Sequence, residues 1–169
     1  MDLCLALGGA LVISIVLMQN PWISALVIAM VVIIEINVIA IMQLWGIDLN
    51  AVSVVNLAIT IGIGLEFCSH IAYSFSESEG TKDERVKIAL TEMGTSVFSG
   101  ITLTKACGIV VFSFSGSIFF ETYYFKMFLT IALVGAVHGL VFFPVLLSLI
   151  GSPTDSWIPF TCKKKEYRY

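Results

Sequence analysis

Long apolar stretches separated by short polar breaks make up most of this chain. Residues 3–18, 22–45, 51–75, 96–119 and 124–150 are dominated by Leu, Ile, Val, Phe, Ala and Gly, in runs that do not alternate residue by residue. A helix needs about 20 apolar residues to cross a bilayer, whereas a barrel strand reads as alternation over about 10. The pattern predicts an all-α, polytopic membrane helix bundle with five transmembrane helices over those ranges. The breaks carry helix-boundary residues. Pro21 follows Gln19 and Asn20, where a new helix starts, and Asn50 is placed to cap the third helix. The longest break, 76–95, contains TKDERVKIALTEM over 81–93, with Val86, Ala89, Leu90 and Met93 spaced as one helical stripe. It predicts a short amphipathic helix along the membrane surface.

Composition narrows the class further. Of 169 residues, 58% are apolar and only 12% charged, about half the charge of an ordinary soluble domain. The mean hydropathy of +0.98 agrees. The four cysteines, Cys4, Cys68, Cys107 and Cys162, have no paired spacing, so no disulfide framework is expected. Cys162 reads as a plain juxtamembrane thiol, with palmitoylation the alternative.

Lys and Arg set the orientation. Lys82, Arg85 and Lys87 fall in the loop, and Lys163, Lys164, Lys165 and Arg168 in the tail, against Lys126 on the opposite side. By the positive-inside bias, the loop and the tail (152–169) are cytosolic and the N-terminus faces the lumen. Residues 1–151 form the bundle. Met1-Asp2 offers no basic flank to explain a luminal start, so the chain reads as the C-terminal end of a longer one.

The candidate chemistry lies within the apolar runs. Intramembrane charge costs at least about 2.5–3.5 kcal/mol, yet Glu35, Glu66, His70, Lys105 and His138 all fall inside predicted spans. Counting about 1.5 Å per residue puts Glu66 and Lys105 roughly 13 Å from the cytosolic side. On the same basis His70 lies about 8 Å in, and Glu35 and His138 about 18–20 Å. Gly62, Glu66, His70 and Tyr73 share one stripe of the third helix, and Lys105 lies on a stripe of the fourth that can face it. Two roles fit. Glu66 and Lys105 neutralise each other and hold two helices in register, or they form a proton or ion-coupling site. Low dielectric favours the neutral carboxyl and a nearby Lys the charged one, so such a pair exchanges protons near physiological pH. His70 extends the path towards the cytosol. Glu35 has no obvious partner and is expected to sit protonated. His138 reads equally as a relay or as a group bonded to a neighbouring helix. Gly100, Thr104 and Gly108, and Gly135 with Gly139, form small-residue faces that let helices approach closely. No metal site is expected, because Glu66, Cys68 and His70 do not share a face and HExxH is absent. No cofactor, nucleic-acid or enzymatic motif is found.

Three blocks, LWGIDLNAVSVVNLAITIGIGLEFCSHI (44–71), MGTSVFSGITLTKACGIVVFSF (93–114) and YYFKMFLTIALVGAVHGLVFFPVLLSLIG (123–151), resemble the second-half signature of Niemann–Pick type C sterol transporters. These belong to the resistance-nodulation-division superfamily, together with the Patched-type proteins. The resemblance implies the last five helices of a six-helix transporter repeat. It also implies a first repeat and luminal domains outside this chain, and a sterol or related lipid as cargo among membrane lipids. It assigns Glu66 and His70 to the family's coupling position and matches Lys105 and His138 to family positions, whereas Glu35 departs from the pattern. A Patched-like receptor and an inactive truncated product are the alternatives. The family's residence is late endosomal or lysosomal, but the tail KKKEYRY lacks its dileucine-type signal, which leaves the plasma membrane open.

Overall fold

A computed structural model describes residues 2–18, 20–97, 99, 102–114 and 116–151, with the side chains of 2, 3, 17 and 102–106 outside that description. Among the described residues the regular structure is all helical. Helix α1 is Asp2–Met18, α2 Pro21–Leu44, α3 Ala51–Glu77, α4 Lys82–Ala89 and α5 Thr102–Ser113. Helix α6 runs over Ile118–Ile150.

Local chemistry accounts for the ends. The Asn20 side chain accepts the Trp22 N–H at 3.1 Å, and Pro21, which has no N–H to lose, opens α2. The Asn50 Oδ1 accepts from the N–H groups of Val52 and Ser53 at 3.0 Å, while the Asn50 N–H donates to Ser53 Oγ at 2.7 Å. This reciprocal pair satisfies donors that a helix start leaves orphaned. Thr81 and Glu84 repeat the arrangement at α4. Helix α5 ends at Ser113, before the last apolar residues of its run, and Gly116 follows at φ +65°, a left-handed conformation that glycine adopts without strain. Among the described residues the helices widen to π geometry at Leu90–Gly94, Glu121–Lys126 and His138–Phe142, among other positions. The turn at His138–Phe142 has a local cause. Pro144 has no N–H and its ring crowds the carbonyl of Leu140, so the preceding turn opens.

Helices α2, α3 and α6 are each long and apolar enough to cross a membrane, and α1 contributes a shorter apolar helix over Cys4–Val16. The chain is therefore a multi-pass membrane protein. Named contacts fix the packing. The Ser24 hydroxyl donates to the Ser14 carbonyl at 3.0 Å, closing the antiparallel α1–α2 hairpin. Trp22 Nε1 donates to the Ile150 carbonyl at 3.0 Å, so α2 starts where α6 finishes. Asn56 Nδ2 donates to the Tyr123 carbonyl at 2.6 Å, and Phe67 seats against Gly135 and Gly139, so α3 and α6 run parallel. The core combines Ile23, Val27, Val31, Ile34 and Val38 of α2 with Ile61, Cys68, Ile71 and Phe75 of α3 and Ile131, Phe143 and Leu147 of α6.

Helix α4 closes one end of this bundle. Arg85 is buried, and its Nε and Nη2 donate to the Phe75 carbonyl at 3.0 and 2.8 Å. Its guanidinium carbon also stands 4.0 Å from the centre of the Phe75 ring. Lys82 Nζ reaches the Leu149 carbonyl at 3.4 Å, and Ser148 donates to Asp83 at 2.6 Å. Thus α4 is pinned to the ends of both α3 and α6.

Candidate functional site

Helix α3 divides the polar groups between two faces. One stripe, through Ser53, Thr60, Gly64, Cys68, Ile71 and Phe75, is buried against α1, α2 and α6. Ser53 serves the N-terminal cap, and the Thr60 hydroxyl donates to its own helix, at the Asn56 carbonyl, at 3.0 Å. Gly64 lets α2 approach, since a Cβ there would stand 3.4 Å from Ile34 and 3.7 Å from Val31. The other stripe, through Val55, Ile59, Gly62, Glu66, His70, Tyr73 and Glu77, follows the helical repeat down the opposite side. Glu66 is half-buried there, while His70 and Tyr73 are exposed. The Tyr73 hydroxyl donates to Glu77 at 2.7 Å, four residues on.

Glu66 and His70 therefore share an outward face of this chain. The Lys105 backbone lies within α5, but its side chain falls outside the described residues, as does that of Thr104, so a Glu66–Lys105 pair is not among the described contacts. Gly100 also lies outside the described residues, as does the tail with Cys162. Gly108 has open space where a Cβ would stand. Cys4 and Cys107 are exposed thiols and Cys68 a buried one.

His138 sits half-buried in the π turn of α6. Its Nδ1 lies 2.9 Å from the Val134 carbonyl, and its ring stacks on Phe142 with centroids 5.0 Å apart. A carbonyl can only accept, so in this bond Nδ1 is the donor. Gly135 and Gly139 border the Phe67 ring: a Cβ on Gly139 would stand 2.7 Å from Phe67 Cβ.

Glu35 differs from all of these. It is 6% exposed, on the inward arc of α2, and among the described residues neither carboxyl oxygen has a hydrogen-bond partner. Its burial is the placement that hydropathy alone did not reveal. The available signal was its position on one stripe with Ser24, Val31, Val38 and Met42, the side on which a small polar serine meets α1. The buried side of α4 holds Arg85, Val86 and Ala89; in the sequence Arg85 stands four residues before Ala89, which puts the two on one helical stripe. Among the described residues no group of three or more His, Cys, Asp or Glu is arranged to hold a metal ion.

No family model matches the chain. Individual proteins do. It is 49% identical over 152 residues, 89% of its length, to NPC intracellular cholesterol transporter 1 of Sus scrofa. It is 53% identical over 128 residues, 76% of its length, to NPC intracellular cholesterol transporter 1 homolog 1b of Drosophila melanogaster. It is 32% identical over 152 residues, 90% of its length, to Protein patched homolog 2 of Homo sapiens. The chain spans only 12%, 10% and 13% of these relatives' own lengths.

Proposed function

We propose that this chain, which belongs to the family of NPC1-type cholesterol transporters and Patched proteins, builds part of the membrane domain of a sterol transporter. The observation that carries this reading is its 49% identity to an NPC cholesterol transporter over 89% of the chain. Patched relatives match at lower identity, 31–37%, which supports a sterol-handling receptor as the second reading. Neither class is an enzyme, and no catalytic constellation is proposed.

In this reading the five apolar runs are five spans of one transporter repeat, with the N-terminus luminal and α4 and the basic tail cytosolic. The first repeat and the luminal domains are the remaining partners. The outward stripe of α3 then turns towards those partners. Glu66, with His70 one turn nearer the cytosol and Lys105 on α5, forms a site that couples proton or cation movement to lipid transfer. His138 and Glu35 are secondary. Residence in late endosomes or lysosomes follows the family habit, with the plasma membrane as the alternative.

Glu66→Gln removes the charge and keeps the shape. In the full-length protein, sterol efflux from endosomes should fall about fivefold or more, the low end of ordinary coupling energies. Unchanged efflux at normal expression rejects the coupling role.

A further inference from the structure

We propose that the aromatic turn joining α5 to α6 is a phospholipid-binding surface that seats in the headgroup layer of the membrane face opposite α4, the luminal one in the proposed orientation.

Helix length gives the first argument. Helix α6 has 33 residues and α2 has 24. At about 1.5 Å per residue, α6 is about 50 Å long, against about 30 Å of hydrocarbon and about 40–45 Å with both headgroup layers. The Trp22–Ile150 bond sets the start of α2 level with the finish of α6, so α6 outruns α2 at the other end. There Lys126 Nζ, two turns into α6, stands 5.8 Å from the ring of Trp45, the residue that follows α2. The first two turns of α6, residues 118–125, therefore lie beyond the hydrocarbon-length part of the bundle.

The make-up of that end gives the second. Phe114 and Ile118 are 85% and 84% exposed, and Phe119 and Phe120 are 46% and 40% exposed. Glu121 beside them is exposed, as is Asp48 in the turn after α2. Hydrocarbon would strip these carboxylates of water, and bulk water would leave the rings as a bare apolar patch. The headgroup layer satisfies both, because ring bodies reach the upper acyl carbons while hydroxyls and charges stay wet.

The rings also form one connected surface. Phe112 of α5 has ring centroids 6.3, 5.4 and 6.2 Å from those of Phe120, Tyr124 and Phe128. Phe119 meets both Tyr123 and Tyr124, at 5.2 and 6.1 Å, four and five residues on, and the π turn at Glu121–Lys126 brings both within reach. Further along α6, the exposed Leu133, Val137, Val141 and Val145 recur every four residues as the stripe a spanning helix turns to lipid. The aromatic surface continues that lipid contact into the headgroups. Lys126 adds a cation at its inner edge, where lipid phosphates supply the opposite charge.

This surface is independent of the sterol-transport reading, and its test measures depth in place of efflux. Full-length protein with a fluorescent amino acid in place of Phe119 is placed in phosphatidylcholine bilayers. These contain a phospholipid bearing a nitroxide quencher either on its headgroup or near the end of an acyl chain. At position 119 the headgroup quencher should remove more of the emission than the chain-end one. The same label at Leu133, near the middle of α6, should show the reverse order. Ile118 is a second labelling position, open enough to accept the substitution, and should behave as 119 does. Protection from both quenchers at 118 and 119, the result of a covering protein domain, overturns the proposal. So does stronger quenching there by the chain-end nitroxide.

Discussion

At the scale of single residues, space and partners decide roles more than residue type does. Gly139 is the sharpest case. Its missing Cβ leaves room for Phe67, whose own Cβ would otherwise lie 2.7 Å away and whose backbone carbon 3.5 Å away. Backbone cannot swing aside, so α3 and α6 would have to separate. Gly139→Ala should therefore cost about 1–3 kcal/mol, the usual range for overpacking, read as a lowered midpoint of denaturant unfolding in detergent. Gly108→Ala, with open space at the same atom, is the control and should change little. The three intramembrane groups with described side chains on α2 and α3 diverge in the same way: Glu35 is enclosed, Glu66 half-buried and His70 exposed. Hydropathy scores the two glutamates identically, and only the neighbours tell them apart.

Among the elements, α4 makes the clearest prediction because its chemistry lies outside the membrane spans. Glu84 Oε2 accepts from the Thr81 N–H at 2.9 Å and from the Thr81 hydroxyl at 3.0 Å. These bonds favour the ionised carboxyl and hold its pKa below the usual carboxylate value of 4.5. A depressed folded-state pKa means stability that is present above the unfolded value and lost as pH falls through the folded one. Acidification below about pH 4.5 should therefore fray the start of α4, seen as faster amide exchange at residues 82–85. Thr81→Ala should reproduce the fraying at neutral pH and cost about 1 kcal/mol of helix stability. The Asn50 cap of α3 was legible in the sequence, whereas the reciprocal bonds with Ser53 and the Thr81–Glu84 box of α4 came from the structure, although each joins residues only three apart. The docking of α4 through Arg85 was not legible, because it depends on where the Phe75 carbonyl ends up at the close of another helix.

For the whole molecule, the packing orders the ends. Trp22 meets Ile150, and Asn56 meets Tyr123, so the starts of α1–α2 turn and α4 gather at one end with the finish of α6. In the proposed orientation, which puts the basic residues of α4 on the cytosolic side, thiol labelling of intact cells should leave a cysteine at Lys82 unmodified by an impermeant reagent. A cysteine at Asp48, in the turn after α2, should react from the luminal or outer side. Labelling of the Lys82 site from outside would reverse the proposed orientation.

The amino-acid sequence by itself determined the membrane class, the all-helical character, the family resemblance and most helix starts. Each depends on composition, unbroken apolar length or short-range hydrogen bonding. The tertiary structure alone decided which side of each helix faces its neighbours. In a lipid solvent the outward and inward faces are equally apolar, so the pattern that separates core from surface in a water-soluble helix carries little signal here. That is why Glu35 emerged as the enclosed carboxyl and the Glu66–His70 stripe as an outward one, and why Gly139 and Arg85 acquire their roles only when Phe67 and Phe75 are brought beside them.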